Sequence, residues 1–188
     1  MKNLKHQAQR VAVFIDVQNL YYSAKNLFKS RVNFEEFLNE AVGKRQLIRA
    51  LAYVIRSKEL EKEEAFVEAW ENFEIVLKIK DIHVFSTGLK KGDWDVGLTT
   101  DAISISQSVD TIVLVTGDGD FVPLVEYLKS HGKQVEVLAF SKSASLKLKE
   151  VANDFVDLGE NPKKYLRVLE AIEHGFKPTG NSKKKNKK

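Results

Sequence analysis

Short apolar runs recur along the chain, each closed by a polar or acidic residue and separated by stretches of helical period. Val11-Ala-Val-Phe-Ile15 is the first, and residues 47–55, 82–85, 112–116 and 135–140 repeat the pattern, with a last edge strand over 155–158. Runs with so little polar alternation suit strands buried on both faces of a parallel sheet. The stretches between them read as helices. Leu20, Ala24, Leu27 and Phe28 share one face of a helix beginning at Leu20, and a second helix covers 34–42, with Asn33 as cap and Gly43 as stop. From Glu59, Phe66, Ala69, Trp70, Phe73, Val76 and Leu77 keep helical register, which predicts a charged helix over 59–79, although 75–79 alone has the composition of a strand. Asp95 opens a helix with Val96, Leu98, Ala102, Ile103 and Ile105 to bury. Phe121, Val122, Leu124, Val125 and Leu128 predict another, ending at Ser130 before His131-Gly132. Pro123 fits it only in the first turn, where a missing N–H costs nothing. A short helix over 143–151 and one from Pro162 to His174 complete the set.

Strands alternating with helices predict an α/β fold with a mainly parallel sheet covered on both faces, because each crossover must return over the sheet. At 188 residues, with 43% hydrophobic and 30% charged content, one domain with a substantial core is expected. Cysteine is absent, which removes disulfides, thiolate metal sites and cysteine nucleophiles together. The run 11–15 is too short for a signal-peptide core or a membrane span, so a cytoplasmic protein without membrane partners is expected. Charge changes the picture more. Lys2, Lys5 and Arg10 stand in residues 1–10 with no acid, and Lys177, Lys183, Lys184, Lys185, Lys187 and Lys188 stand in 176–188, again with none. Removing those nine charges from the net +4 leaves the body at −5. The expected organisation is a basic arm over 1–10, a domain over 11–175 and a disordered Lys-rich tail over 176–188, whose composition gives it nothing to bury. A polyanion would then be met by basic ends, not by a basic domain surface.

The candidate chemistry is acidic. Asp16 closes the run 11–15, and Asp118 and Asp120 follow the run 112–116 after Thr116-Gly117. In a parallel sheet the carboxyl ends of the strands lie on one edge, where ligands bind. Asp16, Asp118 and Asp120 are thus candidates to converge, and Asp95 can join them from its helix start. Two carboxylates about 4 Å apart repel by roughly 4 kcal/mol at an effective dielectric near 20, so a bound cation explains clustering most simply. Hard oxygen donors without cysteine favour Mg²⁺ or Mn²⁺, which can orient water and a phosphodiester for in-line attack. Structural readings stand beside these: Asp16 and Asp118 as turn formers, and Asn19, Asp95 and Asp120 as helix caps. Lys90 and Lys91 can be a solvated loop or meet phosphate. Trp94 can be a buried anchor or stack on a base. His6, His83, His131 and His174 are scattered and suggest neither a triad nor a zinc site.

Three motifs also carry a resemblance. Phe14-Ile-Asp16-Val-Gln-Asn19-Leu, Asp95-Val-Gly-Leu-Thr-Thr-Asp101-Ala and Val115-Thr-Gly-Asp118-Gly-Asp120-Phe-Val-Pro-Leu124 look, in that order over about 11–140, like those of the NYN domain. The LabA-like branch of the PIN-like nuclease superfamily is the nearest in pattern. The resemblance implies a Rossmann-like, three-layer α/β/α sandwich and metal-dependent ribonuclease chemistry with RNA as partner; a homodimer stays open. It assigns the acidic positions to Asp16, Asp95, Asp118 and Asp120, the first-motif asparagine to Asn19 and a further helix acid to Asp101. Thr116 and Lys91 are supporting candidates, Lys91 standing four residues before Asp95 with Asp93 between, where the family's lysine is closer. Two other functions compete. A non-catalytic RNA-binding or regulatory module would keep the fold, but has no need of repelling carboxylates near phosphate. A phosphatase of the haloacid dehalogenase type needs Asp-x-Asp after its first strand, where this chain has Asp16-Val17-Gln18.

Overall fold

The computed structural model describes residues 5–56, 75–81, 83–84, 90–91 and 93–168. Strand β1 (Arg10–Asp16) leads into α1 (Val17–Phe28), then β2 (Ser30–Val32), α2 (Phe34–Val42) and β3 (Gln46–Arg56). After residues outside the described set come β4 (Val76–Asp81), β5 (His83–Val84), β6 (Lys90–Lys91) and α3 (Asp95–Ser106). The chain continues through β7 (Thr111–Val115), a 3₁₀ turn (Gly119–Phe121), α4 (Val122–Ser130), β8 (Gln134–Ala139), α5 (Leu146–Val151), β9 (Asp154–Asp157), α6 (Pro162–Tyr165) and β10 (Leu166–Val168).

Among the described residues six strands form one sheet in the order β4-β3-β1-β7-β8-β9, and every neighbouring pair is parallel. Counting only these strands the order is 3-2-1-4-5-6, the doubly wound arrangement that reverses direction between its first and fourth strands, here β1 and β7. Alternation along each strand divides the core in two. Val11, Val13 and Ile15 of β1, with Val113 and Val115 of β7, face the layer containing α1 and α2. Ala12, Phe14, Ile112 and Leu114 face the layer of α3, α4 and α5. All nine are fully buried, so the unbroken apolar runs are explained by cover on both faces. The protein is an α/β/α sandwich, as the sequence pattern and the resemblance predict. Among the described residues no helix is long and apolar enough to cross a membrane.

Several elements differ from expectation. Residues 76–79 are not helical but belong to β4, paired to β3 with Val76 opposite Leu51. A short apolar run fits either period, and an open sheet edge beside it decides for strand. The part of the expected helix over 59–74 lies outside the described residues. Of the strand expected over 82–85, only His83–Val84 is described as strand; it pairs antiparallel with Lys90–Lys91, apart from the main sheet. The helix expected from Pro162 stops after one turn, because Leu166–Val168 pairs antiparallel with Ser30–Val32, a strand too short to show periodicity. Anything beyond residue 168, the tail included, and residues 1–4 of the arm fall outside the described residues. Helix α1 begins at Val17, three residues before Leu20, since Asp16 caps it. Similarly α5 begins at Leu146, capped by the Ser145 hydroxyl. Asn33 occupies the cap position of α2 without a side-chain cap bond, and its amide donates to the Lys164 carbonyl instead.

The amino-terminal edge of the sheet is held by charge. Arg45 and Glu136 are both buried and bonded at 2.7 and 2.9 Å, and Arg45 also donates to the carbonyls of Ala41 and Val42. Each of the three guanidinium nitrogens therefore has an acceptor, which helps a buried ion pair to persist. Nearby, Arg10 forks onto Asp110 at the surface and holds its carboxyl down to about 2.

Candidate active site

The carboxyl ends of β1 and β7 meet where the strand order reverses, and one hydrogen-bonded network joins them. Asp16 Oδ1 accepts the Asn19 N–H at 3.1 Å, closing the first turn of α1. Its Oδ2 accepts the Thr116 hydroxyl at 3.2 Å, and that hydroxyl oxygen accepts the Asp118 N–H, also at 3.2 Å. Asn19 Oδ1 accepts the Gly117 N–H at 2.9 Å. Asp118 Oδ1 then accepts the Asp120 N–H at 3.0 Å and caps the 3₁₀ turn. Glycine is required in this turn because a Cβ at Gly117 would stand 2.9 Å from the Ala144 Cα. The segment before α5 packs directly onto it, with the Ser145 N–H donating to the Gly117 carbonyl.

Asp95 arrives from the other layer, as the first residue of α3. Trp94 fixes that helix end. Its indole N–H donates to the Val54 carbonyl at 3.0 Å, and its ring meets Tyr53 edge-on at 5.4 Å. The ring also covers Gly97, where a Cβ would lie 2.6 Å from Trp94 Cε3. The anchor reading of Trp94 therefore accounts for its contacts.

Asp16, Asp93, Asp95 and Asp118 all line one cleft of about 490 Å³. Burial pushes the Asp16 carboxyl up from 3.8 to about 6. The Asn19 N–H and Thr116 hydroxyl pull it back, while the charges of Asp95 and Asp118 add to the rise. Asp95 is also raised, by burial first and then by Asp93, Asp118 and Asp120, with Lys80 opposing. Each Asp16 oxygen carries one protein hydrogen bond and keeps a lone pair. Desolvated carboxylates facing a common space are a hard-oxygen donor set and fit Mg²⁺ or Mn²⁺. Among the described residues, no three acidic or imidazole groups are close enough as placed to hold one ion. Mutual repulsion of roughly 4 kcal/mol per pair at about 4 Å opposes closer approach of the acids themselves.

The NYN domain model matches residues 10–159. The chain belongs to the NYN domain family. It is 24% identical over 160 residues to the low amplitude and bright protein LabA of Synechococcus elongatus, covering 80% of this chain and 84% of LabA. It is 33% identical over 78 residues to an uncharacterized protein of Methanocaldococcus jannaschii, covering 40% of this chain and 32% of that one. A crystal structure of a protein of unknown function from Vibrio parahaemolyticus superposes with a TM-score of 0.73 at 32% identity, covering 87% of this chain and 99% of that one.

The remaining candidates of this NYN domain take different places. Asp120 is exposed and does not line the cleft, though Asp95 feels its charge. Asp101 lies on α3 and does not line the cleft; it accepts the Tyr53 hydroxyl at 2.7 Å and the Lys78 ammonium at 2.6 Å. Tyr53 in turn touches Trp94, so Asp101 connects to the site through that aromatic pair. Lys91 pairs through its backbone in the β5–β6 hairpin, and its side chain is outside the described set. Sequence reasoning missed the exposed face of α1, where Gln18, Tyr22, Ser23 and Asn26 line the cleft. Their three- and four-residue spacing on the polar side of an amphipathic helix was the available signal.

Proposed function

We propose that this NYN domain is a divalent-metal-dependent ribonuclease that hydrolyses RNA phosphodiester bonds in the cleft at the carboxyl edge of the sheet. One observation carries the reading: Asp16, Asp95 and Asp118 face a single cleft at the switch point, with Asp16 raised to about 6 and sensing the other two. Mg²⁺ or Mn²⁺ held by these acids would supply positive charge for the phosphate and an acidified water. The chain's own residues prepare that position. Thr116 and the Asn19 backbone fix the Asp16 carboxylate, and the Asn19 amide oxygen ties α1 to the turn that bears Asp118. Asn19 keeps its NH₂ group for substrate, and Asp120 adds its charge beside the cleft. Membership of a family that resembles the PIN-like nucleases supports hydrolysis of RNA over other phosphoryl chemistry, and action on RNA is expected in the cytoplasm.

A non-catalytic RNA-binding module is the second reading, favoured by the spacing of the acids, no three of which share an ion as placed among the described residues. Calorimetric titration with Mn²⁺ and incubation with a mixed RNA pool separate the two. The ribonuclease binds Mn²⁺ and cuts RNA, and Asp118→Asn does both much more weakly. RNA bound but uncut in Mn²⁺ and in Mg²⁺ would establish the binding module instead.

A further inference from the structure

The cleft extends beyond the acids along α1. Gln18, Asn19, Tyr22, Ser23 and Asn26 line it, opposite the buried face formed by Val17, Leu20 and Ala24. From Asn19 to Asn26 this face runs about 10 Å, at roughly 1.5 Å per residue. It carries no charge but many hydrogen-bonding groups. The Gln18 amide nitrogen reaches the Ile55 carbonyl at 3.5 Å, which leaves its oxygen open. Asn26 is exposed and takes no side-chain hydrogen bond among the described residues. Tyr22 is 40% exposed, and its ring makes an edge contact with Tyr21 at 5.3 Å. Ser143 closes the far wall by donating to the Ser23 hydroxyl at 2.9 Å.

The lining also has a one-sided charge. Among its described residues four are aspartates and none is lysine, arginine or histidine. Such a cleft repels a phosphate backbone, so a nucleic acid bound there must be gripped through its uncharged parts. Exposed aromatic faces and unsatisfied amides are the groups that grip unpaired bases, by stacking and by bonds to their edges. In a duplex the faces and pairing edges of the bases are already occupied.

Resting on the ribonuclease reading, we propose that the exposed face of α1 is a base-binding groove specific for single-stranded RNA. Tyr22 stacks on a base next to the phosphate that a metal at the acids would hold, and Gln18 and Asn26 bond base edges along the strand. The site therefore acts on unpaired RNA.

Fluorescence anisotropy with a short labelled RNA of mixed sequence tests this, in EDTA and low salt so that nothing is cut. Three probes are compared: the single strand, the same strand annealed to its complement, and an abasic strand of equal length. Wild type should bind the single strand more tightly than either of the others. Tyr22→Ala should weaken single-strand binding by about tenfold, while Tyr22→Phe, which keeps the ring, retains it. Asn26→Ala should weaken it less, and the melting temperature of all three variants should stay close to wild type. Equal affinity of wild type and Tyr22→Ala, equal affinity for duplex or abasic strand, or no binding by wild type would each overturn the proposal. The two readings fail separately. Tyr22-dependent binding without cleavage in Mn²⁺ keeps the groove and removes the ribonuclease. Cleavage by Tyr22→Ala at the wild-type KM keeps the ribonuclease and removes the groove.

Discussion

Asp16→Asn isolates the electrostatic cost of the site, because it preserves shape and removes charge. In the folded chain the carboxyl titrates near 6 against 3.8 when unperturbed. An acid with a raised folded-state value contributes stability fully below about 3.8 and loses it as pH rises through about 6. Above that point the charged Asp16 is a standing penalty, about 3 kcal/mol at roughly 1.4 kcal/mol per pH unit. Asparagine removes the penalty but replaces two bonds to a carboxylate with weaker ones, a loss on the order of 1 kcal/mol. The net gain at pH 7.5 is then about 1–2 kcal/mol, or roughly 2–8 °C in melting temperature for a chain of this size. Thermal melts followed by circular dichroism, in EDTA at pH 7.5, 6.0 and 4.5, read this directly. The advantage of Asp16→Asn should shrink as pH falls, because the wild-type carboxyl is then protonated in the fold. A variant that melts at or below wild type at pH 7.5, or keeps its full advantage at pH 4.5, would refute the reasoning.

Three further outcomes are expected. Gly97→Ala drives a methyl group into the Trp94 ring, 2.6 Å from Cε3, and should cost about 1–3 kcal/mol in a urea melt while lowering RNA cleavage by displacing Asp95. Glu136→Gln removes the charge facing the buried Arg45 guanidinium and should cost about 3–5 kcal/mol, most of it restored when Arg45→Met and Glu136→Leu are combined. Deletion after Thr179 should leave the melt unchanged but weaken RNA binding and flatten its salt dependence, by up to about 0.7 log units for each phosphate the tail neutralises; an unchanged salt slope would show that the tail only aids solubility.

Legibility in the sequence followed period and length. Buried runs such as 11–15 and 112–115 declare themselves because both faces are covered and no polar residue interrupts them. From there the meeting of Asp16 and Asp118 is almost forced, since parallel strands put their carboxyl ends on one edge. Edge elements were harder. Val76 and Leu77 continue a helical register while 75–79 alone is short and apolar enough for a strand, and pairing with β3 decides between them. Ser30–Val32 and Leu166–Val168 are too short to show any period, and only their mutual pairing makes them strands. Side-chain partners beyond the chain's local neighbourhood were not legible at all. Nothing in the motif around Asp101 reveals that Lys78 and Tyr53, from two other strands, meet it. The groove face of α1 was missed for a related reason: periodicity picks out a helix's buried positions, and exposed amides look the same in sequence whether they face water or a cleft.

Metal-dependent hydrolysis of RNA in the acidic cleft is read most directly from the ends of the RNA fragments. Wild type and Asp118→Asn, purified in parallel, are incubated with end-labelled single-stranded RNA in Mn²⁺, with and without EDTA. Attack by a metal-activated water leaves one fragment with a phosphate and the other with a free hydroxyl, and forms no cyclic ester. Wild type should produce fragments without 2′,3′-cyclic phosphate, and these should be lost in EDTA and nearly lost in Asp118→Asn. Cyclic ends, cutting that survives EDTA, equal cutting by both proteins, or intact RNA throughout would contradict it.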